Sequence, residues 1–110
     1  MIAQDLLEYL NGTLTESVYM EAPESLTNYV LLDQTGTSRN NHIITTTIAI
    51  QSYASSLYGA MQLNETVKTA MDGFLSLSHV ISVKLETDYN FTDTTTKQYR
   101  WQAVYAINHY

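Results

Sequence analysis

From Val80 to Thr87 the chain alternates apolar and polar residues, breaks at Asp88-Tyr-Asn-Phe-Thr-Asp-Thr-Thr-Thr96, then alternates again from Gln98 to Tyr110. Alternation with period two places successive side chains on opposite faces, so the spacing predicts two long strands joined through a polar loop. On the second strand Tyr99, Trp101, Ala103, Tyr105 and Ile107 fall on one side, heavy enough to pack against helices. His42 to Ser52 alternates too, with Ile44, Thr46, Ile48 and Ile50 on one face and Ile43, Thr45, Thr47, Ala49 and Gln51 on the other. Asn28 to Thr35, centred on Tyr-Val-Leu-Leu, is apolar on both faces and is expected to be a central strand. Gly36 to Asn41 reads as a polar loop between these two strands, and Val18-Tyr19-Met20 as a short strand. Glu21 to Ser25 holds the only proline and reads as a turn.

Two segments carry a helical period instead. Ile2, Ala3, Leu6, Leu7 and Leu10 form one stripe, and Asn11-Gly12 is expected to end that helix with a left-handed cap. Tyr53 to about Asp72 reads as the longer helix, with Leu57, Met61 and Met71 on a face, Ala54, Ala60, Val67 and Ala70 nearby, and Gly73 as its stop. Phe74 to His79 reads as a linker or short helical turn. The element order is α-β-β-β-α-β-β. Short connections favour antiparallel pairing, while the strand after the second helix fits either direction. The fold class expected is α+β: one domain over residues 1–110, with a single mainly antiparallel twisted sheet and two helices packed on one face. Ile43, Thr45 and Thr47, with Val80, Ser82, Lys84, Val104 and Ala106, would then line an open, semi-polar face.

Composition sharpens this picture. The 110 residues are 45% hydrophobic and 15% charged, and the polar load falls on 15 Thr, 9 Ser and 9 Tyr. A neutral hydroxyl surface costs less to dehydrate than a charged one, which suits a protein that works against other proteins. Net charge is −6, and Arg39, Lys68, Lys84, Lys97 and Arg100 form no cluster, so a stable grip on nucleic acid is not expected. There is no cysteine, hence no thiolate chemistry or Cys-based zinc site. The first residues lack a secretion-signal pattern and no apolar run reaches membrane-spanning length, so the expected setting is the cytoplasm or something assembled there, with no membrane. Asn-x-Thr triplets at Asn11, Asn64 and Asn90 read as chance in a Thr-rich chain.

Asp88-x-Asn90-x-Thr92 opens like a calcium loop, but Asp93 stands where Gly is needed and Tyr99 where the bidentate Glu belongs. His42, His79 and His109 have no partner at metal-ligand spacing. Thr94 with Lys97 and Ser82 with Lys84 pair hydroxyl and amine without an oxyanion-hole signature. The four glycines are scattered and build no phosphate loop. The expectation is therefore no enzyme, no catalytic residue, no cofactor and no metal. Most aromatics alternate onto the face that helices would cover, which reads as core rather than base stacking. Tyr89 and Phe91 sit in polar surroundings and are expected to make contacts.

Three stretches carry a resemblance: Asn28-Tyr-Val-Leu-Leu, Ile48-Ala-Ile-Gln-Ser-Tyr-Ala-Ser-Ser-Leu-Tyr, and Lys84 through Tyr105. Together with the element order, the chain resembles the tail-completion, or tail terminator, proteins of long-tailed phages of Gram-positive bacteria. The resemblance implies a structural virion protein in the tail or neck, assembled in the bacterial host cytoplasm. It also implies a homo-hexameric ring, with the major tail tube protein below and a head-closure or connector protein above, for head–tail joining. DNA would pass through a central channel without specific binding, and an acidic wall that repels a duplex fits that role. By exposure, the loop from Thr35 to Asn41 and the hairpin tip from Asp88 to Thr96 are the expected contact segments, mobile in the free protein. Within them Thr37, Arg39, Asn40, Asn41, Tyr89, Asn90, Phe91 and Asp93 are the candidate interface residues. The alternatives are a head-closure or connector protein of the same neck and, further off, a small ligand-binding α+β domain.

Overall fold

The computed structural model describes residues 2–21, 23, 28–77, 79–93, 95–96 and 98–110. In chain order they form α1 (Ile2–Thr13), β1 (Val18–Tyr19), β2 (Tyr29–Asn40), β3 (Ile43–Ala54), α2 (Leu57–Asp72), a 3₁₀ turn (Gly73–Ser76), β4 (Val80–Asn90) and β5 (Tyr99–His109). The strands make one mixed, mostly antiparallel open sheet in the spatial order β1-β2-β3-β5-β4. Antiparallel ladders join β2 to β3, β3 to β5 and β5 to β4. The direction left open for β4 is thus antiparallel to β5, as a hairpin partner requires.

β1 departs from the short-connection expectation, because Val18 and Tyr19 pair with Val30 and Leu31 in parallel. Residues 20–28 are enough chain to return to the starting end of the sheet, so proximity in sequence does not enforce a hairpin. β2 is interior at its apolar start, where β1 and β3 flank Val30 and Leu31, but not along the rest of its length. β3 and β5 hold the centre, and beyond Leu31 no strand among the described residues pairs with the outer side of β2. The reason lies in its second half, where Asp33 through Asn40 are all exposed.

The core takes one parity from each long strand. Val30 and Leu32, Ile48 and Ile50, and Ala103, Tyr105 and Ile107 cluster with Ile2, Ala3, Leu6 and Leu10 of α1 and Leu63, Val67, Ala70 and Met71 of α2. One contiguous cluster with both helices and a single strand parity means that both helices cover the same face. Trp101 and Tyr99, expected with the inward set, are only half-buried, and Trp101 lines an open groove with Tyr58, Met61 and Asn64 of α2. A register shift at Ile81 turns Val80 into the core rather than onto the open face. An extra residue in one strand reverses the alternation on either side of it.

The helices differ from expectation in their limits and faces. Tyr53 and Ala54 stay in β3, and α2 begins after Ser56, whose hydroxyl accepts the Gly59 amide at 3.0 Å. Its buried face is Ala60, Leu63, Asn64, Val67, Ala70 and Met71, leaving Leu57 and Met61 exposed. α1 runs through Asn11-Gly12 to Thr13 with no left-handed residue there. The Asn11 side chain instead accepts the Val18 amide at 2.9 Å and donates to the Val18 carbonyl at 3.1 Å, stitching α1 to β1. Gly73 does follow α2, but with a right-handed φ of −82°. A side chain there would collide with the Tyr9 hydroxyl, which donates to the Ala70 carbonyl at 2.6 Å. Close approach of the two helices is what calls for glycine.

Candidate functional site

The two segments expected to make contacts lie at opposite ends of the sheet. Arg39 is level with Ile44 and His109, whereas Asn90 is level with Trp101 and Ser52, across a molecule 44 Å in its longest extent. Thr37, Arg39, Asn40 and Asn41 therefore form one group and Tyr89, Asn90, Phe91 and Asp93 another.

The first group is not a loop. Thr37, Arg39 and Asn40 belong to β2, which pairs with β3 through Asn40 and Ile43 and turns on two residues, Asn41 and His42. Both turn residues have positive φ, 51° and 70°, the geometry that lets a two-residue hairpin follow the twist of its strands. Asparagine tolerates that conformation well and histidine less so. The polar run thus became strand because β3 offers it a full ladder. Hydroxyl-bearing Thr and Ser suit an exposed edge.

The second group is partly strand as well. Tyr89 and Asn90 end β4, and Asp93 bridges Gln98 through amide–carbonyl bonds of 3.1 and 3.2 Å. Asp93 Oδ1 accepts the Thr95 and Thr96 amides, which holds its carboxyl below the usual range. Asn90 Oδ1 accepts both the amide and the hydroxyl of Thr92, at 3.0 and 2.6 Å. These side-chain turns occupy the polar groups a free loop would leave to water. The Thr94–Lys97 pair, like most of the expected turn around Pro23, falls on residues outside those described.

Arg100 anchors this tip to the open face. Its guanidinium lies 4.4 Å from the Phe91 ring centroid, Nε donates to the Phe91 carbonyl at 2.6 Å, and Nη1 donates to the Tyr53 hydroxyl at 3.2 Å. Tyr89 packs edge-on against Phe91, with centroids 5.9 Å apart, and its hydroxyl accepts from Gln102 Nε2. Gln102 Oε1 accepts from Gln51, and Gln51 Oε1 accepts the Tyr53 hydroxyl, both at 2.8 Å. Tyr29 stacks on Tyr53 at 4.4 Å. Burial and the neighbouring Tyr53 push the Tyr29 hydroxyl pKa up. Farther along the same face, Thr45 donates to Asn108 and Asn108 to Ser82, at 2.6 and 2.8 Å. The tip is thus preorganised, and Tyr89 and Phe91, each about 40% exposed, present fixed rings.

Sequence reasoning missed Arg100, Tyr53, Gln51 and Gln102 as a set. The available signal was four polar or aromatic residues on the strand parity opposite the core, obscured when Tyr53 was placed in the helix. It also missed Lys68, whose ammonium lies 2.9 Å from Asp88 and 3.0 Å from Glu65. The Lys68 hydrogen bond, then that of Asn64, keeps the Asp88 carboxyl below the usual range against a counteracting burial effect.

Among the described residues, no group of three or more His, Asp or Glu side chains is placed to hold a metal ion. Among the same residues, no helix is long and apolar enough to cross a membrane. No known family model and no curated protein sequence matches the chain.

Proposed function

We propose that this chain is a structural subunit of a phage tail-terminating ring, a non-catalytic part that caps the tail tube and joins it to the head connector. The observation that carries the reading is the placement of two polar, exposed hairpin ends at opposite poles of one sheet, with the outer side of β4 and, beyond Leu31, that of β2 unpaired among the described residues. A ring subunit between a tube and a connector needs two different axial contact surfaces, and two further lateral surfaces for its neighbours. The α+β element order and the three stretches quoted above support the same assignment. The net charge of −6 suits a channel wall past which DNA slides.

The test is electron microscopy of particles made without this protein. The reading expects headless tails of uncontrolled length and tail-less heads. Normal tails of uniform length, joined to heads, would overturn it. Co-precipitation with tail tube protein refines the assignment, and binding to the portal side alone would move the chain to head closure.

A further inference from the structure

We propose that the Tyr89 and Phe91 rings of one copy of this chain seat in the groove between α2 and the β4–β5 hairpin of the next copy. This rests on the ring reading and deepens it by naming a contact between neighbouring subunits near one pole. The two halves of the contact lie back to back. Asp88 and Trp101 point to the helix side, where Asp88 meets Lys68 and Asn64. The residues that alternate with them, Tyr89, Arg100 and Gln102, point to the open side. Phe91 is level with Arg100 and packs on its guanidinium, on that same side. A two-fold pair would seat one knob and turn the other away. The contact therefore repeats head-to-tail, as a ring requires.

The groove is lined by Tyr58, Met61, Asn64 and Glu65 of α2 with Asp88 and Trp101 of the hairpin. Its volume is about 200 Å³. Sites for separate small molecules begin near about 300 Å³, so a protein side chain is the better-fitting occupant. Tyr58 is 69% and Met61 42% exposed, an apolar rim that the chain's own core leaves uncovered. Thioether and aromatic edges attract further rings. The knob is already ordered, since Arg100 and Gln102 hold its two rings, and seating it costs little side-chain entropy.

Charge selects a second copy as the occupant. Arg100 makes no ion pair among the described residues. Asp93, the acid of that tip, is turned onto the Thr95 and Thr96 amides. Beside the groove two carboxylates, Glu65 and Asp88, share the single ammonium of Lys68, which leaves acid in excess. Docking Phe91 carries the Arg100 guanidinium toward the exposed Glu65. An aromatic knob with a spare base thus meets an aromatic hole with a spare acid, and one sequence supplies both.

The test is a concentration series of the full-length chain by NMR, from micromolar to millimolar. The Met61 methyl, the Trp101 indole and the Tyr89 and Phe91 rings should shift or broaden together. Leu75, exposed but outside the groove, should stay still. Phe91→Ala should abolish the change at Met61, and Met61→Lys should abolish it at Phe91 and Tyr89. The two variants complement each other, because the first keeps the hole and the second keeps the knob. Met61 of isotope-labelled Phe91→Ala, silent alone, should therefore respond when unlabelled Met61→Lys is added. If Phe91→Ala unfolds, Met61→Lys read at Phe91 decides alone. An unchanging wild-type spectrum, changes that survive the substitutions, or a silent mixture of folded variants would overturn the proposal. The contact found in a protein whose absence leaves tails normal would keep the contact and remove the tail role. The reverse pair of results would keep the role and remove the contact.

Discussion

Gln51 and Ser52 are neighbours on β3, and they sit on opposite faces of the sheet under opposite rules. Ser52 faces the helices, is fully buried, and its hydroxyl finds no hydrogen-bond partner. Gln51 faces away from the helices, is 8% exposed, and has both amide atoms bonded, to Gln102 and Tyr53. The covered face is held by apolar contact and tolerates an occasional orphan polar atom. The uncovered face has no helix to exclude water, so long polar and aromatic side chains lie flat and satisfy one another. A sheet can therefore be buried on both sides with helices on only one.

The largest effect should come from the covered face. Phe74 is fully buried and packs against Tyr9 at a centroid distance of 5.4 Å. Phe74→Ala should cost about 3–5 kcal/mol in denaturant unfolding, enough to threaten folding. If it costs under about 1 kcal/mol, the helix layer is not the main source of stability.

The uncovered face should respond more mildly, and through hydrogen bonds. Tyr53→Phe keeps the stack on Tyr29 but removes the donor to Gln51 and the acceptor for Arg100. We expect a loss of about 1–2 kcal/mol, with lower amide exchange protection at Gln51 and Gln102. No change would show that this network only decorates the face.

Asp88 lies on the helix side at the rim, where Lys68 and Asn64 hold one carboxylate oxygen. Asp88→Asn should cost about 1 kcal/mol at neutral pH. The sign with pH follows from the lowered folded-state pKa. The contribution is present above the unfolded value near 3.8 and is lost as the pH falls through the folded value. Acid titration of stability should therefore be shallower below about pH 4 in the variant than in the parent. Parallel curves would remove the ion pair as a factor.

The smallest effect should have the opposite sign. Ser52→Ala removes an unpaired buried hydroxyl and should raise stability by about 0.5–1 kcal/mol. A loss of that size would mean that the hydroxyl is bonded after all and that the two faces follow one rule.

The period of the hydrophobic pattern was a reliable guide wherever an element was long and its surroundings uniform. Ile44, Thr46, Ile48 and Ile50 share the helix side as their spacing required, and Ala103, Tyr105 and Ile107 join them in the core. It failed at the polar segment from Gly36 to Asn40, because propensity cannot see that β3 supplies a ladder for hydroxyl-bearing residues. The stripe on α2 was misplaced because its buried arc centres on Val67, with Ala60, Leu63 and Ala70, which leaves Leu57 and Met61 toward the outer side. Of the candidate contact residues, the first group was legible as exposed and polar. The order in the second group was not, since it depends on Arg100 reaching back across the hairpin to Phe91 and Tyr53.

By itself the sequence determined the class of fold, the element order and which strand faces are apolar, since these depend on local periodicity and turn chemistry. Only the tertiary structure decided the parallel start of the sheet, the central places of β3 and β5, and the bulges that turn Val80 inward. It alone brought together the residues that cover the open face. Those outcomes depend on pairings between residues far apart in the chain, whose free energy exists only once both partners are in place.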